Sequence, residues 1–351
     1  MNILTDRTRI ETDWSCPRKR YWLTEYRGTG IVPATAPTPL TFGLVVHAGI
    51  EGGLKEPNPL QDDVQLLAMQ AHPAWGDLTP DQQDCADAVV RGFFMAVWPQ
   101  WLAQYEPMAV EEEFTMTVED VTFMVRPDLL LKDKQTGDIW YPDFKTFTSH
   151  FDARKWTWSL QQHLTMLVCE HALGTPLAGS WIQGLGKGSG RKGVLYHPLV
   201  YGYRHPGTPG VSEPTFGSQR RSGFERFNTK EYPHGGVDGW IRQLQKKSPE
   251  LVAKIYPQTQ PLFLNRTLME EVLPQIIARE YIISKKHGTN NGQTARDAQF
   301  PMHITQCETN FGRCQYFDAC HVPVIKKDPL GSGSYVERVP HHALEQQVDA
   351  R

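Results

Sequence analysis

Asp143 and Lys145 stand two apart in YPDFKT, a stretch of strand-like composition. On a strand both side chains leave one face, and Phe144 leaves the other toward a core. RPDLLL places Asp128 on the preceding strand of a hairpin, close enough to Asp143 to share a divalent cation. Two hard carboxylate oxygens suit Mg²⁺ or Mn²⁺, which keeps waters and takes phosphate oxygens as further ligands. The neighbouring ammonium can orient a water or neutralise charge that builds on a phosphate. Asp-x-Lys triplets are common as plain strand-end salt bridges, so this one gains meaning only from its company. His47 lies on a helical stripe with Glu51 one turn later, and its imidazole is a plausible additional ligand. A lone helical histidine more often packs or faces solvent, and Gln162 in SLQQHLTML faces the same discount.

A second group is made of thiols. Cys307, Cys314 and Cys320 follow one another at spacings of six and five intervening residues, and Cys16 is the remote fourth candidate. Structural zinc sites favour C-x2–4-C knuckles, which these spacings do not match well. Four thiolates suit an iron–sulfur cluster, whose size tolerates longer ligand loops. Six cysteines in 351 residues are too few for a disulfide-stapled scaffold.

The elements that must position these groups are legible in the hydrophobic pattern. Phe42, Val45, Val46, Ile50 and Leu54 form a helical stripe after the proline-rich loop 31–40. Residues 61–106 read as helical. The segments EEEFTMTVED, VTFMVRPDLLLKD and GDIWYPDFKTF read as three consecutive strands. WSLQQHLTMLVCEHALG returns to helical spacing and stops at Gly174, and SWIQGLGKG reads as another strand.

The formal charge is −3, with 40% hydrophobic and 21% charged residues, which is ordinary for a folded chain and excludes coating nucleic acid by bulk charge. Residues 184–235 reverse that balance locally. Arg191, Lys192, Arg220, Arg221 and Arg226 are among eight basic residues there, against Glu213, Glu225 and Glu231. This basic insert is a candidate for holding DNA phosphates, with Trp156, Trp158 and Phe224 as candidates for base stacking. No apolar run is long enough to span a bilayer and no secretory signal is visible, so a cytoplasmic location without membrane contact is expected.

In order, SCPRKRYW, GLVVHAGIE, RPDLLL, DFKT, Gln162 and the three-cysteine group resemble the PD-(D/E)XK nuclease superfamily. The resemblance is to its RecB-like branch with a four-cysteine iron–sulfur cluster, which includes the AddB nuclease domain, CRISPR-associated iron–sulfur exonucleases and phage-encoded relatives. It covers residues 11–325, although 55–108 and 184–300 match only by position. It implies an α/β fold with a restriction-endonuclease-like mixed central sheet, flanked by helices and closed by an iron–sulfur cluster lobe. The implied catalytic residues are Asp128, Asp143, Lys145 and Gln162. His47, Asp128, Asp143 and the Phe144 carbonyl would hold Mg²⁺ or Mn²⁺, and Cys16, Cys307, Cys314 and Cys320 would hold a [4Fe–4S] cluster. Glu113 matches an acidic residue on the strand before Asp128, with the register left open by the run Glu111-Glu112-Glu113. Met166 stands where the family has the tyrosine of its Q-x-x-x-Y helix.

The expected organisation is one nuclease domain over 1–325. Within it, 11–60 is an N-terminal Cys/His segment, 61–108 helical, 109–183 the catalytic core, 184–235 the basic insert, 236–299 helical and 300–325 the cysteine cluster. Residues 326–351 are expected to be a disordered tail. The expected function is a metal-dependent deoxyribonuclease, an exonuclease on single-stranded or frayed DNA ends in recombination, repair, replication or phage DNA processing. Its rivals are a non-cleaving iron–sulfur subunit that binds DNA ends and a zinc-bound structural module. The sequence names no protein partner.

Overall fold

The computed structural model describes residues 3–35, 38–148, 151–187, 189–191, 194–196, 201–204, 211–212, 224–226, 237–247, 249–287, 299–309, 312–343 and 345–346. The chain begins with β1 (Ile3–Asp6), α1 (Arg7–Ser15), α2 (Pro17–Arg20) and β2 (Ile31–Pro33). A helical layer follows: α3 (Thr38–Leu54), α4 (Val64–Ala71), α5 (Pro80–Ala96) and α6 (Trp98–Gln104). Then come β3 (Tyr105–Val110), β4 (Phe114–Val118), β5 (Val121–Val125), β6 (Leu129–Asp133) and β7 (Ile139–Phe147). Helix α7 (Leu160–Leu173) connects β7 to its parallel neighbour β8 (Leu177–Gly186). Helices α8 (Val237–Lys247), α9 (Pro249–Ile255) and α10 (Arg266–His287) complete the frame.

The strands form a mixed four-stranded sheet in the order β3-β6-β7-β8 and a three-stranded sheet in the order β1-β5-β4. The fold is therefore mixed α/β, with several sheets flanked by helices. The single strand expected over VTFMVRPDLLLKD is two strands in two sheets. Pro127 supplies the break: it has no N–H for a ladder and restricts Arg126 before it. The chain changes sheets there, and Asp128 emerges at the crossing.

A second proline opens the central sheet. β6 and β7 pair only at Leu131 with Trp140 and Lys132 with Ile139. Two residues on from Trp140, Pro142 has no N–H to offer, and the ladder stops while β7 continues along β8. The far end of β7 is thus left with a free edge on the side of Asp128.

Helix α3 is seated from behind. A Cβ on Gly52 would lie 2.4 Å from the Ala68 Cβ, and one on Gly53 would lie 2.4 Å from the Phe94 ring. Glycine at these positions lets α4 and α5 press against α3, which fixes the opposite face over β7. Phe144 closes the same core, 5.3 Å from the Phe93 ring and 6.1 Å from that of Trp101. Among the described residues no helix is long and apolar enough to cross a membrane.

The tail departs from the disorder expected of it. Tyr335–Glu337 forms a strand paired antiparallel with β2, inside what reads by sequence as a proline-rich loop. Tyr335 is buried and stacks on Tyr316, with ring centroids 5.9 Å apart. Farther on, Glu345 pairs with both Arg9 and Arg338. Strand pairing and buried charge partners together outweigh the polar composition. Of the basic insert, Arg191 and Arg226 lie on short described strands, whereas Lys192, Arg220 and Arg221 lie outside the described residues.

Candidate active site

The free edge of β7 meets Asp128. The Phe144 N–H, which lacks a ladder partner, donates to Asp128 Oδ2 at 2.7 Å. The bond anchors Asp128 beside the β7 face that carries Asp143 and Lys145. Lys145 Nζ lies 2.6 Å from Asp143 Oδ2. Asp143 Oδ1 accepts from the Tyr141 hydroxyl at 3.0 Å and from Gln161 Nε2 at 2.9 Å. From α3, His47 Nδ1 approaches Asp128 Oδ1 at 3.6 Å.

His47, Asp128 and Glu111 each offer one ligand atom, and these atoms all lie within 4.8 Å of one another. Glu111 is the acidic residue of the site. Glu113 instead turns to the tail, with its Oε2 2.9 Å from His342 Nδ1. Glu111 follows β3 directly and has φ 50, a left-handed conformation that a side chain rarely adopts. Its N–H donates to the Asp128 carbonyl at 3.3 Å, so backbone strain and a backbone bond together aim the carboxylate into the site.

The glutamine assignment moves by one residue. Gln162 is fully buried, with neither amide atom partnered among the described residues. Gln161 occupies the site, where its Nε2 holds Asp143 and its Oε1 accepts from Arg7 Nη1 at 2.8 Å. One turn along α7, Thr165 lines the cleft while Met166 is buried in the core. Trp156, a candidate for stacking, faces two ammonium groups: Lys155 Nζ is 4.5 Å and Lys145 Nζ 5.5 Å from its ring centroid. Trp158 is exposed and is not among the described residues that line the cleft.

Crowded carboxylates show in the electrostatics. Burial pushes the Glu111 carboxyl up to about 7, with the Asp128 charge adding and Arg126 opposing. Burial likewise raises Asp143, against Lys145 and with Asp128. Asp128 is itself desolvated, yet the charges and bonds of His47, Lys145 and the Phe144 N–H hold it at about 2. His47 is raised because Asp128 outweighs its own burial. Such a group of acids is stabilised by positive charge, and the donor set of carboxylates plus one imidazole fits a hard divalent cation. The Phe144 carbonyl completes the ligand set only by the sequence resemblance.

His47, Glu111, Asp128 and Lys145 line a cleft of ≈ 670 Å³ that also takes in Arg7, Thr8, Arg126, Leu40, Leu44, His341 and His342, while Asp143 is buried behind it. Arg126 joins the tail to the site: its Nε lies 3.1 Å from Glu111 Oε2, and its Nη2 lies 2.8 Å from His341 Nε2.

The cysteines gather at a different place. Cys16 separates α1 from α2 and is buried. Arg18 donates from its N–H to the Pro301 carbonyl at 3.2 Å and from its Nε to the Phe300 carbonyl at 2.8 Å. Those bonds dock the segment that leads to Cys307. The Cys314 N–H donates to the Cys307 carbonyl at 2.8 Å, and Trp22 Nε1 donates to Cys320 Sγ at 3.3 Å. Burial pushes the Cys320 thiol up to about 11, despite Trp22 and Arg18, and the Cys314 and Cys16 thiols add to the rise. Cys307 is raised by burial and then by Cys16 and Cys314. Cys16 and Cys314 thus each lie near enough to both Cys307 and Cys320 to act on their thiols, and a donor set of four such thiols fits a thiolate-bound metal centre. Cys85 and Cys169 sit in two separate apolar cores.

No family model and no curated protein sequence matches the chain. Among solved structures the chain is similar to the crystal structure of a "putative exonuclease" from Eubacterium rectale, with TM-score 0.34 and 10% identity, over 68% of this chain and 74% of that one.

Proposed function

We propose that the protein is a metal-dependent deoxyribonuclease of the PD-(D/E)XK type that hydrolyses phosphodiester bonds. The observation that carries this reading is the meeting of His47, Glu111 and Asp128 with Lys145 in one cleft, with the buried Asp143 paired to Lys145 behind it. His47, Glu111, Asp128 and Asp143 would hold Mg²⁺ or Mn²⁺, which supplies charge neutralisation at a bound phosphate and a more acidic water. Lys145 keeps its ammonium at the reacting phosphate, where it stabilises negative charge as the bond to water forms. Gln161 and Tyr141 fix Asp143 from the side away from Lys145, so the carboxylate cannot rotate out of place. Arg7 and Arg126 put two further cations along the cleft for flanking phosphates.

Cys16, Cys307, Cys314 and Cys320 are proposed to hold a [4Fe–4S] cluster. Its support is the gathering of four thiols from opposite ends of the chain. The cluster would tie the N-terminal helices to the C-terminal lobe.

The test is digestion of end-labelled DNA, linear and circular, single- and double-stranded, with Mn²⁺, Mg²⁺ or EDTA. Linear DNA should be shortened from its ends only when the metal is present. Digestion that persists in EDTA, or none with either metal, contradicts the proposal.

A further inference from the structure

The cleft has two unlike linings. Arg7, Arg126 and Lys145 supply cations, and Asp6, Glu51, Glu111 and Asp128 supply carboxylates. Helix α3 supplies Leu40, Leu44 and Ala48, which fall on one helical face at intervals of four residues. His47 belongs to the same lining, so the apolar strip runs directly to the metal-binding cluster.

These leucines do no packing work that the fold requires. Phe42, Val45, Val46 and Ile50 already fill the core from the inner face of α3. Leu40 is 55% exposed and Leu44 43% exposed. Two large aliphatic side chains left in water inside a charged cleft mark a place where apolar surface is expected to arrive.

The nuclease reading limits what that surface can be. A phosphodiester strand is polar along its backbone and apolar on the faces of its bases. In a duplex those faces are stacked and hidden, and only groove edges remain accessible. In an unpaired strand they are free to lie on apolar or aromatic side chains. A cleft that sets three cations and an acidic cluster suited to a divalent cation beside two exposed leucines matches an unpaired strand, with phosphates toward the cations and the metal-binding cluster and bases toward α3.

We propose that Leu40 and Leu44 form a ledge for the unstacked bases of a single-stranded DNA end, and that this ledge makes the site prefer unpaired over paired strands. The inference rests on the nuclease reading and assigns its specificity to residues outside the chemistry.

The experiment measures binding of a fluorescein-labelled single strand and of a blunt duplex of equal length, by anisotropy, with Ca²⁺ in place of Mn²⁺. The full-length protein should bind the single strand at least about tenfold more tightly, a factor that burying roughly 60 Å² of apolar surface supplies. Leu40→Ser combined with Leu44→Ser should reduce that ratio to near one, and Leu40→Phe combined with Leu44→Phe should keep or raise it. The proposal is overturned if the serine variant keeps the wild-type ratio, as it would if the leucines were a contact for another protein. It is also overturned if the wild type shows no preference. Hydrolysis of bis(p-nitrophenyl) phosphate by the wild type with Mn²⁺ reports separately on the nuclease reading, and the binding ratio judges the ledge by itself.

Discussion

At the scale of residues, the Asp143–Lys145 pair was readable because strand geometry admits one answer for positions two apart. The same rule fails between β3 and β4. Alternation gives Glu111 and Glu113 the same face, but the left-handed turn at Glu111 breaks the alternation and sends the two carboxylates to different partners. The choice between Gln161 and Gln162 had no signal either, since α7 is buried on most sides and its apolar pattern marks no solvent face. This difference is testable. Gln161→Ala should lower cleavage by about tenfold or more through a mobile Asp143, without loss of the fold. Gln162→Met should leave cleavage intact and hold or raise the melting temperature, because it removes an unpaired buried amide that costs about 1–3 kcal/mol. Thermal melts and single-turnover cleavage with Mn²⁺ distinguish the two. Equal losses of activity in both variants would return the role to Gln162.

Among elements, the helices and most strands followed the hydrophobic period, while the tail did not announce itself. Residues 335–343 are mostly polar and contain Pro340, and their order, like that of Glu345, comes from partners some 300 positions away, such as Arg9 and the β2 strand. Glu345 is the test of that docking. Burial raises its carboxyl, but Arg9 and Arg338 outweigh the burial and bring it to about 2. Its folded value lies below the ordinary 4.5, so its contribution is fully present above pH 4.5 and fades as pH falls toward 2. Glu345→Gln should therefore melt well below the wild type at pH 7, and the gap should narrow steadily from pH 4.5 to pH 2.5. A gap independent of pH would show that the carboxylate charge does not hold the tail.

For the whole molecule, the thiol group joins chain ends that sequence alone could pair only by chemistry and resemblance. A crosslink between residues 16 and 307 closes most of the chain, which in the chain-entropy model is worth ~5–6 kcal/mol. Anaerobically prepared protein should be brown and carry about four irons per chain. Cys16→Ala should bleach it and lower its melting temperature, whereas Cys85→Ala and Cys169→Ala should keep the colour, since both lie in apolar cores apart from the thiol group. Stoichiometric zinc without iron would contradict the cluster. The central claim concerns the cleft, however, and Asp143 is its most exacting point: it is buried and holds Lys145 and Gln161 in one arrangement. The direct measurement compares wild type and Asp143→Ala for digestion of end-labelled single-stranded DNA with Mn²⁺, alongside DNA binding and iron content. Cleavage should fall at least about a hundredfold, the lower end for losing an electrostatic catalytic group, while binding and iron content persist. Digestion by Asp143→Ala at the wild-type rate would contradict the assignment of nuclease chemistry to this site.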